Sequence, residues 1–283
     1  MDYTAVVFAY HDVGVRCLSV MLSHGVRVPL VVTHRDDPAE NVWFESVEKL
    51  ARANDLEVAT PDDPNAPQFI ARLNEIAPDF LFSFYYRHML SPAVLATAMR
   101  GAFNMHGSLL PKFRGRAPVN WAVLCGEDST GATLHEMVEK PDAGRIVDQA
   151  AVPIGPDDLA LEVFGRVTDA AQLVLERALP GLLAGTTRFR QNDLSKGSYF
   201  GGRKPEDGRI DWTKSAQEIH NLVRAVAPPY PGAFCDRLKI YRTQMIERRA
   251  PVSAPGPYQE GGEWFALCGD GKVLRLLEIE ERK

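Results

Sequence analysis

Cysteine is scarce in this 283-residue chain, and the four present, Cys17, Cys125, Cys235 and Cys268, stand far apart. No CxxC pair and no Cys–His metal spacing occurs. A zinc site is therefore not expected, nor any other metal, and buried, reduced thiols are. Long apolar runs are also missing, since none approaches the ~20 residues of a membrane span. The amino terminus shows neither a basic n-region nor an apolar h-region, so no secretory signal is expected and a cytoplasmic location is. Positive charge is in deficit, with 32 Lys and Arg against 37 Asp and Glu for a net charge of -5. That balance argues against a dominant nucleic-acid footprint while leaving room for a local basic patch. Three signatures are absent as well. The first strand-to-helix turn reads Ala9-Tyr10-His11-Asp12-Val13-Gly14, without GxGxxG, so NAD is not expected there. No GxxxxGK[ST] loop offers a phosphate cradle, and no GxSxG elbow presents a serine nucleophile.

What is present is an ordinary globular composition, 45% hydrophobic and 24% charged, long enough for a sizeable core. Short apolar runs at 4–9, 28–33, 57–59, 80–84 and 102–106 read as strands. Helical spacing separates them at 13–24, 40–54, 65–77 and 92–99. Strand and helix in alternation predict a Rossmann-like, mostly parallel α/β sheet. A helix at 117–125, a strand at 131–138 and its hairpin partner at 146–152 follow. A long amphipathic helix then begins at Asp157 as N-cap and closes at Gly185. The composition shifts after residue 190. The expected division is a catalytic domain at 1–190, a linker at 191–204 and a small β-domain of barrel type at 205–283. Ser215 and Glu218 form a capping box for a helix at 216–226.

The chemistry concentrates in residues 102–121. A strand there delivers Asn104 and His106 on one face, and a loop broken by Gly107, Pro111, Gly115 and Pro118 carries Lys112, Arg114 and Arg116. An amide donor beside a group able to carry positive charge suits an oxyanion forming at an acyl carbon, an effect worth on the order of 10²–10³ in rate per donor. Asp142 lies in a Pro-Asp-Ala-Gly turn. It is either a turn-former or a carboxylate that reaches His106 and favours its charged form. Tyr85, Tyr86, Arg87 and His88 form a solvated strand end or flank a flat heterocycle or anion. His11, His34, His135 and His220 show no partner pattern and read as structural. The residue types thus support a transferase or hydrolase acting at a carbonyl carbon without a Ser or Cys nucleophile.

Asn104-Met105-His106-Gly107-Ser108-Leu109-Leu110-Pro111, together with Asp142, resembles the signature of the 10-formyltetrahydrofolate-dependent formyltransferases. Residues 7–12, 82–88, 115–121, Arg224-Ala225-Val226 and 231–234 narrow it. They resemble the branch represented by the formyltransferase portion of the bifunctional UDP-4-amino-4-deoxy-L-arabinose formyltransferase and UDP-glucuronic acid decarboxylase. The resemblance covers nearly the whole chain, weakening after about residue 240. It implies that Asn104 and protonated His106 hold the oxyanion, with His106 the proton donor and Asp142 raising its pKa. It places folate against His88, Met89, Leu90, Arg116 and the loop of Val138, Glu139, Lys140, Pro141 and Asp142. It implies an OB-like barrel from about residue 205, and UDP-4-amino-4-deoxy-L-arabinose as acceptor in lipid A modification and polymyxin resistance. The chain stops at Lys283 without a decarboxylase portion, so NAD is again not expected.

Methionyl-tRNA formyltransferase shares the catalytic motif. A tRNA binder would carry excess positive charge on its second domain, whereas residues 205–283 hold 12 Lys and Arg against 12 Asp and Glu. The loop 35–40 is short and acidic, a poor clamp for a phosphate backbone. Small-molecule partners are therefore expected, with no membrane and no nucleic acid. A dTDP-linked amino sugar is a further acceptor. A formate-releasing hydrolase would use the same three residues, with water in place of the amine. A silent binding module would not need all three.

Overall fold

The apolar runs of the first 106 residues become five parallel strands: β1 (Thr4–Ala9), β2 (Arg27–Val32), β3 (Val58–Ala59), β4 (Phe80–Phe84) and β5 (Gly101–His106). The computed structural model describes residues 3–36 and 41–281. Residues 37–40 of the acidic 35–40 loop lie outside them. Helices α1 (His11–Ser23), α2 (Val47–Ala53), α3 (Pro67–Ile76) and α4 (Pro92–Leu95) make the crossovers. Every residue of β4 is buried, as a central strand covered on both faces requires. Phe8, Leu30, Leu73, Leu81 and Val94 form the core packed about it. Each such side chain contributes about 1.5–3 kcal/mol through burial.

Next come β6 (Arg114–Gly115), α5 (Pro118–Leu124), β7 (Ser129–Glu136), β8 (Ile146–Pro153), α6 (Ala160–Ala184) and β9 (Tyr199–Phe200). The main sheet runs β3-β2-β1-β4-β5-β7-β8, with β7 antiparallel to β5. Strand order reverses between β1 and β4, so the segments following these strands flank the switch point where ligands of open α/β sheets gather.

The chain groups into two compact units. The first holds the chain up to Gly115 with Gly131–Ala151 and Arg166–Tyr199. The second holds Arg116–Thr130, Val152–Gly165 and the chain from Phe200 onward. In the latter, α7 (Ala216–Val226) begins on the Ser215–Glu218 capping box. It is followed by β10 (Ala233–Phe234), β11 (Leu238–Ile246), β12 (Gly256–Glu260), β13 (Glu263–Leu267) and β14 (Val273–Glu281). These five form an antiparallel sheet in the order β10-β11-β14-β13-β12. Arg224 is a structural clamp inside this unit. Its guanidinium donates to the carbonyls of Gly155 at 3.1 Å and Asp158 at 3.3 Å, and to Asn221 Oδ1 at 2.8 Å.

Several boundaries move from expectation. The helix expected at 40–54 starts only at Val47, because Ser46 caps it and Trp43 and Phe44 leave the helix to pack on His11. The helix expected at 92–99 is a single turn. Asp157 does not cap α6. The helix starts at Ala160, and Asp157 Oδ1 lies 3.4 Å from His220 Nε2. Cys17, Cys235 and Cys268 are buried free thiols, but Cys125 is exposed. Among the described residues, no helix is long and apolar enough to cross a membrane.

Candidate active site

Strand β5 carries Asn104 and His106 two residues apart, hence on one face. Its antiparallel partner β7 sets His135 opposite Asn104 and Thr133 opposite His106. Directly paired residues share a face, so Asn104, His106, Thr133 and His135 line one patch of the sheet. Asn104 Nδ2 lies 3.1 Å from His135 Nε2. His135 read as structural in the sequence, and the structure instead sets it within the cluster. Its alternating strand was legible, but the pairing register that brings it to Asn104 was not.

Two segments fold back over this patch. The loop after β5 is held by Thr133, whose Oγ1 donates to the Ser108 carbonyl at 2.6 Å and accepts from Leu110 N–H at 3.2 Å. Ser198 anchors its far end, accepting the Phe113 N–H at 2.8 Å on Oγ and the Arg114 N–H at 3.1 Å on its carbonyl. His106 Nε2 donates to the Phe113 carbonyl at 2.8 Å. The second segment, 137–145, connects β7 to β8 and brings Asp142 back in the left-handed region at φ 50°. Asn192, 2% exposed, pins this turn by donating to the carbonyls of Asp142 at 3.0 Å and Gly144 at 3.1 Å. Gly144 is required there, since a Cβ would fall 2.0 Å from the Glu136 carbonyl oxygen.

Asp142 thereby becomes the centre of charge. Its Oδ2 accepts the Gly115 N–H at 2.8 Å. Its Oδ1 sits 3.6 Å from His106 Nδ1 and 3.4 Å from His135 Nε2. Burial alone would push the carboxyl up, but the two imidazoles and the Gly115 N–H outweigh it and hold Asp142 well below the usual carboxylate range. The proposed trio of Asn104, His106 and Asp142 therefore meets in one place, with an ionised carboxylate facing two histidines. Such a set can stabilise negative charge on a carbonyl oxygen and move a proton without a covalent intermediate.

The remaining expected residues divide. His88 and Met89 are exposed and Leu90 is buried in the segment after β4. Val138, Glu139 and Lys140 are exposed and Pro141 is half-buried at the turn carrying Asp142. Arg116 is exposed and belongs to the second unit, where its N–H donates to the Phe200 carbonyl at 3.0 Å. Arg114 is buried, and its Nε has no hydrogen-bond partner. Beside the switch point, His34 stacks on Tyr86 at 4.1 Å and meets His88 edge-on at 4.8 Å. The Arg87 guanidinium lies 4.7 Å from the Tyr10 ring centre. Burial lowers His34 to about 4 and His11 to about 3, with neighbouring positive charge adding to the effect. At neutral pH the His11 and His34 rings are therefore neutral. Among the described residues, no group of three or more His, Cys, Asp or Glu is arranged to hold a metal ion.

Comparison with known proteins matches residues 16–179, more than half of the chain, to the formyl transferase family, and residues 203–283 to the formyl transferase C-terminal domain. Among solved structures, an N-formyltransferase from Helicobacter canadensis in complex with folinic acid and dTDP-3-aminofucose aligns over all of both chains, at 20% identity and a TM-score of 0.76. WlaRD, a sugar 3N-formyl transferase solved in the presence of dTDP and 5-N-formyl-THF, aligns over 98% of each chain at 19% identity and a TM-score of 0.77. A 4-N formyltransferase from Francisella tularensis covers 81% of this chain and 90% of its own, at 19% identity and a TM-score of 0.64. At such identities these likenesses establish a shared fold.

Proposed function

The chain belongs to the formyl transferase family and is a formyltransferase, and from that premise we propose that it moves the formyl group of 10-formyltetrahydrofolate onto the amine of a nucleotide-linked amino sugar. The observation that carries this reading is the convergence of Asn104, His106 and Asp142 in a cluster with no serine or cysteine nucleophile among its members. The acceptor amine attacks the formyl carbon, a C–N bond forms, and the carbonyl electron pair moves onto oxygen. Asn104 Nδ2 donates to that oxyanion, and protonated His106, balanced by the Asp142 carboxylate, supplies positive charge. Collapse returns the pair to the carbonyl and breaks the bond to N10, which leaves with a proton while the amine loses one. Because His106 Nε2–H is held by the Phe113 carbonyl, delivery of its proton requires that bond to exchange onto the substrate.

Folate is assigned to the segment after β4, with His88, Met89 and Leu90, and to the turn of Val138, Glu139, Lys140, Pro141 and Asp142. Met89 and Val138 are 58% and 43% exposed, apolar surface that a flat pterin would cover. For the acceptor, dTDP-linked amino sugars are favoured over UDP-4-amino-4-deoxy-L-arabinose, because two solved structures that align with at least 98% of this chain were determined with dTDP or a dTDP-amino sugar. The catalytic portion is assigned to residues 1–190. The test is a panel: 10-formyltetrahydrofolate with dTDP-3-aminofucose, further dTDP-amino sugars, UDP-4-amino-4-deoxy-L-arabinose and initiator Met-tRNA, followed by mass spectrometry of the acceptor. A gain of one formyl group on a dTDP-amino sugar is expected. Formylation of the tRNA alone would overturn the amino-sugar reading, and formylation of the UDP-pentose alone would overturn the choice of nucleotide.

A further inference from the structure

We propose that His135 is a positioning residue, one that selects which end of the Asn104 amide faces the reacting formyl group. The inference rests on the reading of Asn104 as the oxyanion donor. An asparagine amide has two ends of nearly equal size, and the polar environment decides their orientation. With Nδ2 toward the formyl oxygen the amide stabilises the oxyanion. With Oδ1 there, oxygen would face oxygen and the stabilisation would become repulsion.

The ring of His135 fixes this choice in two steps. Nδ1 stands 2.7 Å from the Glu136 carbonyl, which can only accept, so Nδ1 carries the hydrogen. In the neutral ring Nε2 is then left as a lone pair, 3.1 Å from Asn104 Nδ2. A lone pair at that position accepts an N–H and repels an amide oxygen. One hydrogen of Nδ2 is held by the ring, and the second remains for the substrate. Nothing in the pair is free to drift: His135 is 2% exposed, and strand pairing sets the two backbones opposite each other. The same Nε2 lies 3.4 Å from Asp142 Oδ1, so a protonated ring would turn its hydrogen to the carboxylate and release the amide. The groups facing His135 are Asn104 from β5, Asp142 from the 137–145 turn and His106, whose ring centre is 6.4 Å away.

The test uses the full chain with 10-formyltetrahydrofolate and whichever of dTDP-3-aminofucose and UDP-4-amino-4-deoxy-L-arabinose the wild type turns over. His135→Phe keeps a flat ring but has no acceptor. A fall in kcat of about 10- to 100-fold, with KM for both substrates unchanged, is expected from losing an orienting partner. His135→Gln places an amide oxygen near the Nε2 position and should recover most of the loss. If the Phe variant does not fold, His135→Met, a flexible apolar side chain suited to a buried slot, takes its place. Equal losses in the apolar and Gln variants, or wild-type kcat in the apolar one, would overturn the proposal. Asn104→Ala separates the two levels of the argument. If it retains wild-type kcat, the donor role of Asn104 fails first. If it is impaired, adding His135→Phe to it should cost nothing further, and an additive loss would refute the positioning role.

Discussion

Replacing Asp142 by asparagine separates charge from shape at the centre of the cluster. Asparagine is among the few residues that tolerate the left-handed backbone found at this position, φ 50°, and it keeps an oxygen for the Gly115 N–H. What it removes is the negative charge 3.6 Å from His106 Nδ1. At such a separation a unit ion pair is worth about 4–5 kcal/mol at an effective dielectric near 20. Part of this is offset because a neutral amide escapes the desolvation that burial imposes on a carboxylate. If about half survives, the transition state loses about 2–3 kcal/mol, which lowers kcat about 30- to 150-fold. KM for folate should stay near the wild-type value, since the turn keeps the two Asn192 bonds to its carbonyls. The assay is initial-rate formyl transfer under saturating substrates across the neutral range, with thermal melting to verify the fold. A variant that melts normally and turns over within a few-fold of wild type throughout would refute the idea that the Asp142 charge supports His106.

Asn104→Ala removes the proposed oxyanion donor, and kcat should drop by about 10²–10³ with little change in melting temperature. Gly144→Ala would set a Cβ 2.0 Å from the Glu136 carbonyl oxygen, so the turn carrying Asp142 must shift. Overpacking of this kind costs about 1–3 kcal/mol and should appear as a lower melting temperature together with weakened turnover. Acid stability offers a further check. A carboxyl held low in the folded state stabilises the fold above its unfolded pKa of roughly 3.9, and that contribution disappears as pH falls below it. The stability gap between wild type and Asp142→Asn should therefore close as pH falls from about 4 toward 2 in denaturant titrations. His34 acts in a different window, because its folded value lies near 4, below that of an unfolded imidazole. The unfolded chain takes up the proton first, so stability should decline as pH falls from roughly 6.5 toward 4, less steeply in a His34→Phe variant.

The elements legible in the sequence are those whose signal is local. The strands β1 and β4 coincide with mostly apolar runs, β5 follows the apolar lead-in Ala102-Phe103, and the Ser215 and Glu218 box marks the start of α7 where expected. Elements that failed to show were too short or too mixed to carry a period. β6 and β9 have two residues each, and β12 begins Gly-Pro-Tyr, which reads as a turn. Its proline is tolerated because β12 lies at the edge of its sheet. The expected helix over 40–54 shows the opposite error. Val42, Trp43 and Phe44 look like the apolar face of a helix, yet Trp43 meets the His11 ring edge-on at 4.5 Å and Phe44 stacks on it at 4.0 Å. Tertiary packing claimed side chains that local propensity assigned to α2.

The site itself depends on non-local events, and this explains what composition and spacing could name and what they could not. Asn104 and His106 are two apart on one strand, so their shared face follows from strand period alone. Asp142 joins them only because the 137–145 turn adopts a left-handed residue, a glycine where no Cβ fits, and a brace from Asn192 some fifty residues onward. His135 joins because of the register between β5 and β7, where a slip of one residue would point it to the other side of the sheet. Arg114 and Arg116 make the same point in a single loop. Two positions apart in a short basic run, one is buried with its Nε unsatisfied and the other is exposed. The difference is set by Ser198, which fixes the backbone at Phe113 and Arg114 from 85 residues away. A trio recognised by residue type is therefore only part of the device. The sheet register, the braced turn and the anchored loop decide which neighbouring groups, His135 foremost, act on it.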